Sequence, residues 1–472
     1  MHKYKKALVV GCGRSGRAAE ALLRSEGCTV VSICQEITPD YCFEDLHFDP
    51  EVAIISPGFS LKHPWITDLI DRNIPLLSEL ELGWSRRHCP VIAVTGSNGK
   101  STVVKWIVES LAQAGQTAVP CGNYGFPVCG AAMLPEVPDW LVIEVSSFQL
   151  ETVREFRPEI GLLLNVLPNH LDRHGSMDVY RDLKLRIFEN MRQTDTAIVP
   201  FGFFQPLESN CVAAQRFASQ EPDIFQPLEK SNENVPTLGK NGSNVWIRPE
   251  GEGPRGCAAG LWPGKTFGTE QGADFCYDAG RVGGIGLNGT LFANEILGVA
   301  GAAVAAVCDA CGVPPLAVEV AARTFVPLPH RTALVAEIDG IKYVDDSKAT
   351  NLVAMCAAVK MCPGKVHLIA GGRAKESDFS LAKDLLAQRV SHLYLIGEAS
   401  GAMQAAWGDA VRCDFCGTLE AAVMAAQKQA KPGDTVLLSP ACTSFDQFRD
   451  FNERGDCFAA AVRGLTGKDA GV

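Results

Sequence analysis

Long hydrophobic runs, a surplus of positive charge and a secretory signal are all missing from this chain of 472 residues. No apolar run approaches the ~20 residues that a membrane-spanning helix needs, and even the apolar run at 297–308 is too short. The formal net charge of −11 disfavours nucleic acid and anionic membranes as general partners, although small anionic substrates need only local positive sites. We therefore expect a cytoplasmic globular protein without a membrane span or nucleic-acid partner.

The cysteines lack the spacing of a zinc ribbon. The chain has 18 of them, and its two C-x-x-C pairs, Cys308/Cys311 and Cys413/Cys416, lie about 100 residues apart. Most of the others are scattered through apolar stretches. We expect reduced, mostly buried thiols and no structural zinc site.

Residues 91–101, VIAVTGSNGKS, are the most informative stretch that is present. A β-branched run leads into a turn and then into a helical stretch, 103–115. The turn residues are Gly96, Ser97, Asn98, Gly99, Lys100, Ser101 and Thr102. Glycines let backbone N–H groups converge on an anion, and the helix N-terminus adds partial positive charge. Lys100 would reach the β- and γ-phosphates, and the hydroxyl of Ser101 or Thr102 would bind Mg²⁺.

Only two residues separate the glycines of this turn, where the full P-loop pattern has four. An ordinary strand–turn–helix is therefore the alternative. The Gly-Lys-Ser-Thr run after an apolar strand argues against it, and the stretch predicts a nucleoside-triphosphate site.

Residues 1–89 alternate short apolar runs with helical segments, which predicts a small domain with a parallel sheet. The runs are 7–10, 28–33, 52–56 and 74–80. The first run ends in the G-x-G-x-x-G turn of residues 11–16, and Glu36 only approximately fits the acidic position of a dinucleotide site. A second turn, Ser56-Pro57-Gly58, follows the third run. Both turns suit a diphosphate, with NAD and a nucleotide-sugar as candidates.

The central stretch begins after a linker at 88–90 and carries three polar candidate residues, one in a turn and two at predicted strand ends. Asn123 lies in a turn, Glu144 ends the strand 140–147, and His170 lies in the loop after 160–166. Glu144 would support Mg²⁺, or else be an exposed acid on an edge strand. His170 is equally compatible with a structural and a functional role. Residues 200–290 hold mixed turns and short strands and carry no functional signal.

Lys184 shares a predicted helix face with apolar residues, because Tyr180, Lys184 and Phe188 are spaced four apart. A buried lysine has a lowered pKa and becomes a neutral nucleophilic amine. The alternative is a lysine whose stem is buried while its ammonium reaches solvent.

The last part of the chain follows an Ala-rich helix at 291–313, a second helix at 314–326 and a linker at 327–329. It reads as a third α/β unit with a hairpin around Asp339-Gly340. Strand ends here carry residues 345–351, 371–375 and 439–444. Polar and basic residues at successive strand ends indicate a site.

An ordered set of motifs resembles the Mur ligases of peptidoglycan synthesis. The motifs are TGSNGKST, GNYG, EVSSFQLE, NHLDRHGS, YRDLKLRIFEN, LPHR, DDSKATN, AGGRAKESDFS and LLSPACTSFDQFRDFNERG. The resemblance spans the chain except for about residues 200–290. It implies an α/β fold of three domains: a Rossmann-like UDP-substrate domain (1–89), a central P-loop ATPase domain (90–327) and a C-terminal Rossmann-like glutamate-binding domain (328–472).

The resemblance also implies an activity. The chain would be an ATP-dependent amide ligase that adds D-glutamate to UDP-N-acetylmuramoyl-L-alanine, acting as a monomer. The reaction would pass through an acyl phosphate and a tetrahedral intermediate, with two Mg²⁺ ions and a CO₂-derived carbamate on Lys184.

The resemblance assigns the family's site roles to the matching positions of this sequence. The resemblance implies ATP phosphate contacts from the turn at 96–102, and nucleotide contacts from Asn294, Arg331 and Asp346. Here Thr290-Leu291 replaces the His-Asn pair that is usual upstream of Asn294. The metal ligands would be Ser101, Glu144, His170 and the modified Lys184. The UDP-substrate residues would be Arg14, Ser15, Ser56, Pro57, Gly58 and Asn123. The glutamate residues would be Lys348, Thr350, Lys375, Ser444 and Phe451.

Three alternative functions compete with this one. Another amide ligase, such as one for another Mur step or for folylpolyglutamate synthesis, would share the central domain. The N-terminal GCGRSG turn argues against the folate enzyme, and SPACTSFDQF favours glutamate addition. An NAD-dependent oxidoreductase would not need the P-loop. A non-catalytic nucleotide-binding protein would not need Lys100, Glu144, His170 and Lys184 together.

Overall fold

The computed structural model describes residues 4–34, 48–203, 245–246, 262–375 and 378–466. Contacts divide the chain into two compact units, Met1–Asn165 with Leu183–Arg323, and Val166–Asp182 with Thr324–Val472. Glu36 lies outside the described residues, as do 204–244 and 247–261 within the stretch predicted to hold mixed turns and short strands. Over the described ranges, no helix has both the length and the apolar character needed to cross a bilayer.

The first sheet lies in the first unit and is parallel, with strand order β2-β1-β3-β4. Its strands are β1 (Lys6–Val10), β2 (Thr29–Ile33), β3 (Val52–Ile55) and β4 (Leu76–Ser78). Its helices are α1 (Arg14–Ser25), α2 (Pro64–Asp71) and α3 (Glu79–Ser85). The prediction that the apolar run 74–80 forms a strand was wrong at its C-terminal end, because the strand stops at Ser78. The Ser78 hydroxyl accepts the N–H of Glu81 and caps the helix that begins at Glu79.

The second sheet of the first unit has ten strands in the order β14-β13-β12-β11-β9-β8-β5-β7-β6, with β10 paired to β11. The strands are β5 (Val91–Thr95), β6 (Ala118–Gly122), β7 (Trp140–Glu144), β8 (Ile160–Leu163), β9 (Thr196–Pro200), β10 (Val245–Trp246), β11 (Trp262–Gly268), β12 (Phe275–Asp278), β13 (Arg281–Val282) and β14 (Ile285–Gly286). The strands from β12 to β6 are parallel to one another. Their carboxyl ends therefore share one edge.

Helices accompany this stretch of chain. They are α4 (Lys100–Gln113), α5 (Val128–Ala131), α6 (Ser147–Leu150), α7 (Leu171–His174), α8 (Met177–Leu185), α9 (Glu295–Ala310) and α10 (Pro315–Thr324). The prediction of an Ala-rich helix over 291–313 was too long. The helix begins after Asn294, whose side-chain oxygen accepts the N–H of Leu297 and so caps it.

The third sheet belongs to the second unit and has the order β15-β16-β20-β17-β18-β19. Its strands are β15 (Ala333–Ile338), β16 (Ile341–Asp345), β17 (Val366–Gly371), β18 (Val390–Ile396), β19 (Cys413–Gly417) and β20 (Thr435–Ala441). Its helices are α11 (Leu352–Met361), α12 (Lys383–Arg389), α13 (Ser400–Trp407), α14 (Leu419–Gln429) and α15 (Phe451–Thr466). Apolar clusters fill both faces of this sheet.

The predicted hairpin is confirmed. β15 and β16 pair antiparallel around two residues with positive φ, Asp339 at 51° and Gly340 at 74°. Two successive left-handed residues give the turn a twist that matches the strands, and Asp-Gly is a favoured pair for it.

Candidate active site

The predicted phosphate loop joins β5 to α4, as the sequence indicated. Gly99 has a φ of 84° and forms the N-cap of α4, a backbone geometry that glycine adopts without strain. The first N–H groups of α4 therefore point out of the N-terminus of the helix, an arrangement that suits an anion. The Lys100 ammonium donates to the carbonyls of Gly96 (2.7 Å) and Ser97 (3.1 Å), so the lysine lies over its own loop.

Glu144 ends β7, which lies between β5 and β6 in the sheet interior. Its side chain is 2% exposed, so the alternative of an exposed edge-strand acid was wrong. One carboxylate oxygen accepts the Ser101 hydroxyl at 2.5 Å, and the other accepts the Asn123 side-chain amide at 2.7 Å. Residues predicted separately for metal, phosphate and UDP-substrate therefore meet at one carboxylate.

The Ser101–Glu144 pair fits Mg²⁺, since both supply the hard oxygen ligands that this ion prefers. No group of three or more His, Cys, Asp or Glu side chains suited to a metal occurs over the described ranges. An Mg²⁺ ion here would need oxygens from phosphate and water as well, which is its usual mode in nucleotide sites.

Lys184 is 1% exposed, so the alternative of a lysine reaching solvent was wrong. Tyr180 and Phe188 are buried as well, as the predicted apolar face requires. Its Nζ atom donates to the Gly96 carbonyl at 2.9 Å. Burial lowers the pKa of Lys184 well below its usual value, the charge of Lys100 adds to this, and Glu144 opposes it.

Asn165 is a residue that sequence reasoning missed. It follows β8, and its side-chain oxygen accepts the backbone N–H groups of Ser97 (2.9 Å) and Asn98 (3.0 Å). Its amide group donates to the Asn98 carbonyl at 3.1 Å. The available signal was an asparagine at the carboxyl end of an apolar strand.

His170 belongs to the second unit and is half-buried. It has a φ of 56° and caps α7, where its carbonyl accepts the N–H groups of Arg173 and His174. Its predicted role toward a metal stays a prediction.

The two N-terminal turns predicted for the UDP-substrate lie side by side, after the neighbouring strands β1 and β3. The Ser56 hydroxyl donates to the Gly11 carbonyl at 3.5 Å, and Pro57 and Gly58 continue that turn. A Cβ on Gly16 would stand 1.8 Å from the Gly11 carbonyl oxygen, so only glycine allows this close approach.

Arg14 opens α1, with Ser15 next to it, and is exposed. Its guanidinium donates to the Gly125 carbonyl at 2.8 Å, in the turn that also carries Asn123. The first-turn residues of α1 therefore lie next to the Asn123 turn, as a shared substrate site requires.

The Asn294 side chain is used locally, since its amide also donates to the Leu291 carbonyl at 3.1 Å. Its predicted nucleotide contact would have to compete with its capping bonds.

Asp346, in the second unit, lies at the end of β16 and is 8% exposed. It accepts the Ser439 hydroxyl at 2.9 Å and both the N–H and the hydroxyl of Thr332. Burial raises the pKa of Asp346 to about 7, although these hydrogen bonds and the nearby charge of Arg331 oppose the shift. Its carboxyl group is thus hydrogen-bonded within the protein, near Arg331.

Four residues predicted for glutamate form two pairs in the second unit. The Lys348 ammonium lies 3.7 Å from the centre of the Phe451 ring, and the Lys375 ammonium donates to the Thr350 hydroxyl at 3.4 Å. The fifth, Ser444, is buried. It follows Thr443, whose backbone bonds reciprocally with that of Arg373 near Lys375.

Arg454 is a second residue that sequence reasoning missed, although it lies within a quoted motif. It is 1% exposed and belongs to α15. Its guanidinium donates to the Ser347 hydroxyl and carbonyl, at 3.0 and 2.8 Å, and to the Cys442 carbonyl at 3.1 Å. It therefore ties together the two loops that carry Lys348 and Ser444.

Two family models match the chain. The Mur ligase middle domain matches residues 94–202, and the Mur ligase, glutamate ligase domain matches residues 330–442.

Curated relatives match over nearly the whole chain. The UDP-N-acetylmuramoylalanine--D-glutamate ligase of Koribacter versatilis is 33% identical and covers 97% of each chain. The relative of the same name from Syntrophotalea carbinolica is 34% identical, covering 88% of this chain and 84% of its own.

Solved structures share the fold. The MurF ligase of Thermotoga maritima in complex with ADP has a TM-score of 0.55 and 16% identity, covering 91% of this chain and 92% of its own. UDP-N-acetylmuramate-alanine ligase MurC from the same organism has a TM-score of 0.55 and 14% identity, covering 98% and 100%. The predicted α/β class with parallel-sheet domains is confirmed.

Proposed function

The chain belongs to the Mur ligase family, and from this premise we propose that it performs the glutamate-adding step of peptidoglycan precursor synthesis. It is an ATP-dependent ligase that joins D-glutamate to UDP-N-acetylmuramoyl-L-alanine, as relatives of that name cover it almost end to end. The observation that carries the proposal is the cluster of Lys100, Ser101, Glu144 and Lys184 around one phosphate loop.

The chemical problem is the activation of a carboxylate. The alanyl carboxylate would attack the γ-phosphate of ATP, which gives an acyl phosphate and ADP. The amine of glutamate would then attack the acyl carbon, and the tetrahedral intermediate would collapse to the amide and phosphate. Lys100, which lies over the phosphate loop, would leave the Gly96 and Ser97 carbonyls and neutralise charge on the transferring phosphoryl group.

Magnesium would be held in the first unit by Glu144 and the Ser101 hydroxyl, with His170 as a further proposed ligand. When bound, Mg²⁺ screens the repulsion between anionic reactants and the charge that develops during phosphoryl transfer. Asn123 donates to the second oxygen of Glu144, so it orients that carboxylate.

Lys184 would carry a carbamate. Because burial lowers its pKa well below the usual value, its amine is neutral and able to take up CO₂. The modified side chain would supply a negatively charged oxygen ligand for Mg²⁺. Labelled ¹³C-bicarbonate should give a carbamate NMR signal that is absent in Lys184→Ala, and this variant should be inactive. Full activity of Lys184→Ala without added bicarbonate or chloride would refute the carbamate.

The remaining site residues are proposed for the two other substrates. Arg14, Ser15, Ser56, Pro57, Gly58 and Asn123 would bind the UDP-substrate. Asn294, Arg331 and Asp346 would bind the nucleotide of ATP. Lys348, Thr350, Lys375, Ser444 and Phe451 would bind glutamate. The ammonium groups of Lys348 and Lys375 suit the two carboxylates of this amino acid.

We also propose that the chain has three domains, 1–89, 90–327 and 328–472, and acts as a cytoplasmic monomer. Each of these segments holds one of the three sheets.

The test of the proposed function is ATP-dependent phosphate release with UDP-N-acetylmuramoyl-L-alanine. D-glutamate, L-glutamate, L-lysine and meso-diaminopimelate are supplied one at a time. Release with D-glutamate alone is expected. Release with a different amino acid would move the enzyme to another step, and no release with any of them would overturn the assignment.

A further inference from the structure

Asn165 holds two successive peptide groups of the phosphate loop. Its side-chain oxygen accepts the N–H groups of Ser97 and Asn98, and its backbone carbonyl also accepts that of Ser97 at 3.1 Å. Its side-chain amide donates to the Asn98 carbonyl. The carboxyl end of β8 is thereby fastened to the loop on one side.

The opposite side of the same peptide groups faces two lysines. In a trans peptide the N–H and C=O groups point in opposite directions, and the described chain contains no cis peptide. The peptide that donates Ser97 N–H to Asn165 therefore points the Gly96 carbonyl away from Asn165. That carbonyl accepts hydrogen bonds from the side-chain nitrogens of Lys100 and Lys184. The next peptide does the same with the Ser97 carbonyl and Lys100.

We propose that Asn165 is a positioning residue for nucleotide binding. By fixing the two peptide planes it aims the Gly96 and Ser97 carbonyls at the lysines and sets the shape of the loop before ATP arrives. Phosphate is then met by the amides at the start of α4 and by Lys100, because the N–H groups of Ser97 and Asn98 are already used.

Loss of this side chain should loosen the loop. In Asn165→Ala the two peptide planes can rotate, so ATP must order them on binding. We expect the Kd of MgADP and the KM for ATP to rise about tenfold, the equivalent of ~1.4 kcal/mol. The KM for D-glutamate should stay within about twofold, a difference of roughly 0.4 kcal/mol.

Asn165→Asp separates the accepting part of this role from the donating part. The carboxylate still accepts both N–H groups, but it cannot donate to the Asn98 carbonyl, and it places a negative charge beside the phosphate loop. We expect thermal stability near that of the parent protein and weaker MgADP binding. This weakening should shrink as salt is raised from low to high concentration, because salt screens the repulsion. The weakening that remains at high salt reports the lost donation to the Asn98 carbonyl, and a merely structural asparagine would leave none.

The matched control is Asn190→Ala in the same unit. Asn190 also donates to backbone carbonyls, those of Arg154 and Phe156, but does not contact the loop. It should leave the Kd of MgADP unchanged.

Calorimetric titration of the full chain with MgADP gives the result without any acceptor substrate, so it is independent of which amino acid is added. The proposal rests on the use of ATP in the proposed function, but not on the identity of the amino acid. An Asn165→Ala protein with a Kd within twofold of the parent would overturn it, as would equal weakening by Asn190→Ala. If Asn165→Ala does not fold, the Kd of MgADP for Asn165→Asp at high salt decides, and a value equal to that of the parent would overturn the proposal.

Discussion

Glu144→Gln tests the proposal that the Glu144 carboxylate binds Mg²⁺, with little change in the shape of the side chain. Glutamine has the size of glutamate but no charge. Its oxygen can accept the Asn123 amide, and its amide group can donate to the Ser101 hydroxyl, which then turns to act as acceptor. Both hydrogen bonds therefore survive the substitution.

The structure separates the expected effects on stability and on catalysis. Two hydrogen bonds to a charged group, about 1.5–3 kcal/mol each, become neutral ones of about 0.5–1.5 kcal/mol. Relief from burying an ion at a 2% exposed position offsets part of that loss. We expect the free energy of unfolding to change by no more than about 2 kcal/mol. The loss of an anionic Mg²⁺ ligand should lower kcat at least about 100-fold, or ~2.7 kcal/mol.

The assay is phosphate release over a titration of Mg²⁺, with thermal unfolding measured on the same samples. Glu79→Gln is the matched control, because Glu79 is also a glutamate with 2% exposure in the first unit. Glu79 accepts the N–H of Cys129 instead of metal-side groups. This control should keep its activity and its Mg²⁺ dependence.

Unchanged kcat and Mg²⁺ dependence in Glu144→Gln would refute the metal role of Glu144. Equal loss of activity in both variants would show that burial, and not the position beside Ser101, determines the effect.

Three further predictions concern stability and the glutamate side. Burial raises the pKa of Glu79 to about 7, so the folded state holds a proton that the unfolded state releases near pH 4–5. The parent protein therefore loses this stabilisation as the pH rises through 7. Glutamine does not titrate, so between pH 4.5 and 8 the free energy of unfolding of Glu79→Gln should rise by up to about 3 kcal/mol relative to that of the parent, as measured by denaturant unfolding. Arg454→Met leaves the buried Ser347 and Cys442 carbonyls without this donor, and each unsatisfied acceptor costs about 1–3 kcal/mol. The variant should unfold at lower denaturant and have a higher KM for D-glutamate. The side chain of Arg449 is 82% exposed, so Arg449→Met should show neither change. Phe451→Leu removes the ring under Lys348 and should raise the KM for D-glutamate about 2- to 20-fold, while the KM for ATP stays constant.

Local patterns determined much of this protein. The β-branched run before Gly96 and the Gly-Lys-Ser-Thr turn specify a strand, a loop and a helix start, because backbone freedom and strand propensity are properties of neighbouring residues. The Asp339-Gly340 turn likewise requires two left-handed residues, and the chain supplies them. The four-residue spacing of Tyr180, Lys184 and Phe188 correctly placed the lysine on a buried face.

Tertiary structure alone decided which of these residues meet. Whether Glu144 is an edge acid or a buried carboxylate depends on β7 lying between β5 and β6, and strand order is set by contacts distant in sequence. Asn98 lies 67 residues from Asn165, and Ser347 lies 107 residues from Arg454, so no local pattern could reveal these contacts. Asparagine and arginine at such positions look like ordinary polar residues in the sequence. Only the folded chain shows that they satisfy buried backbone groups of the loops that carry the chemistry.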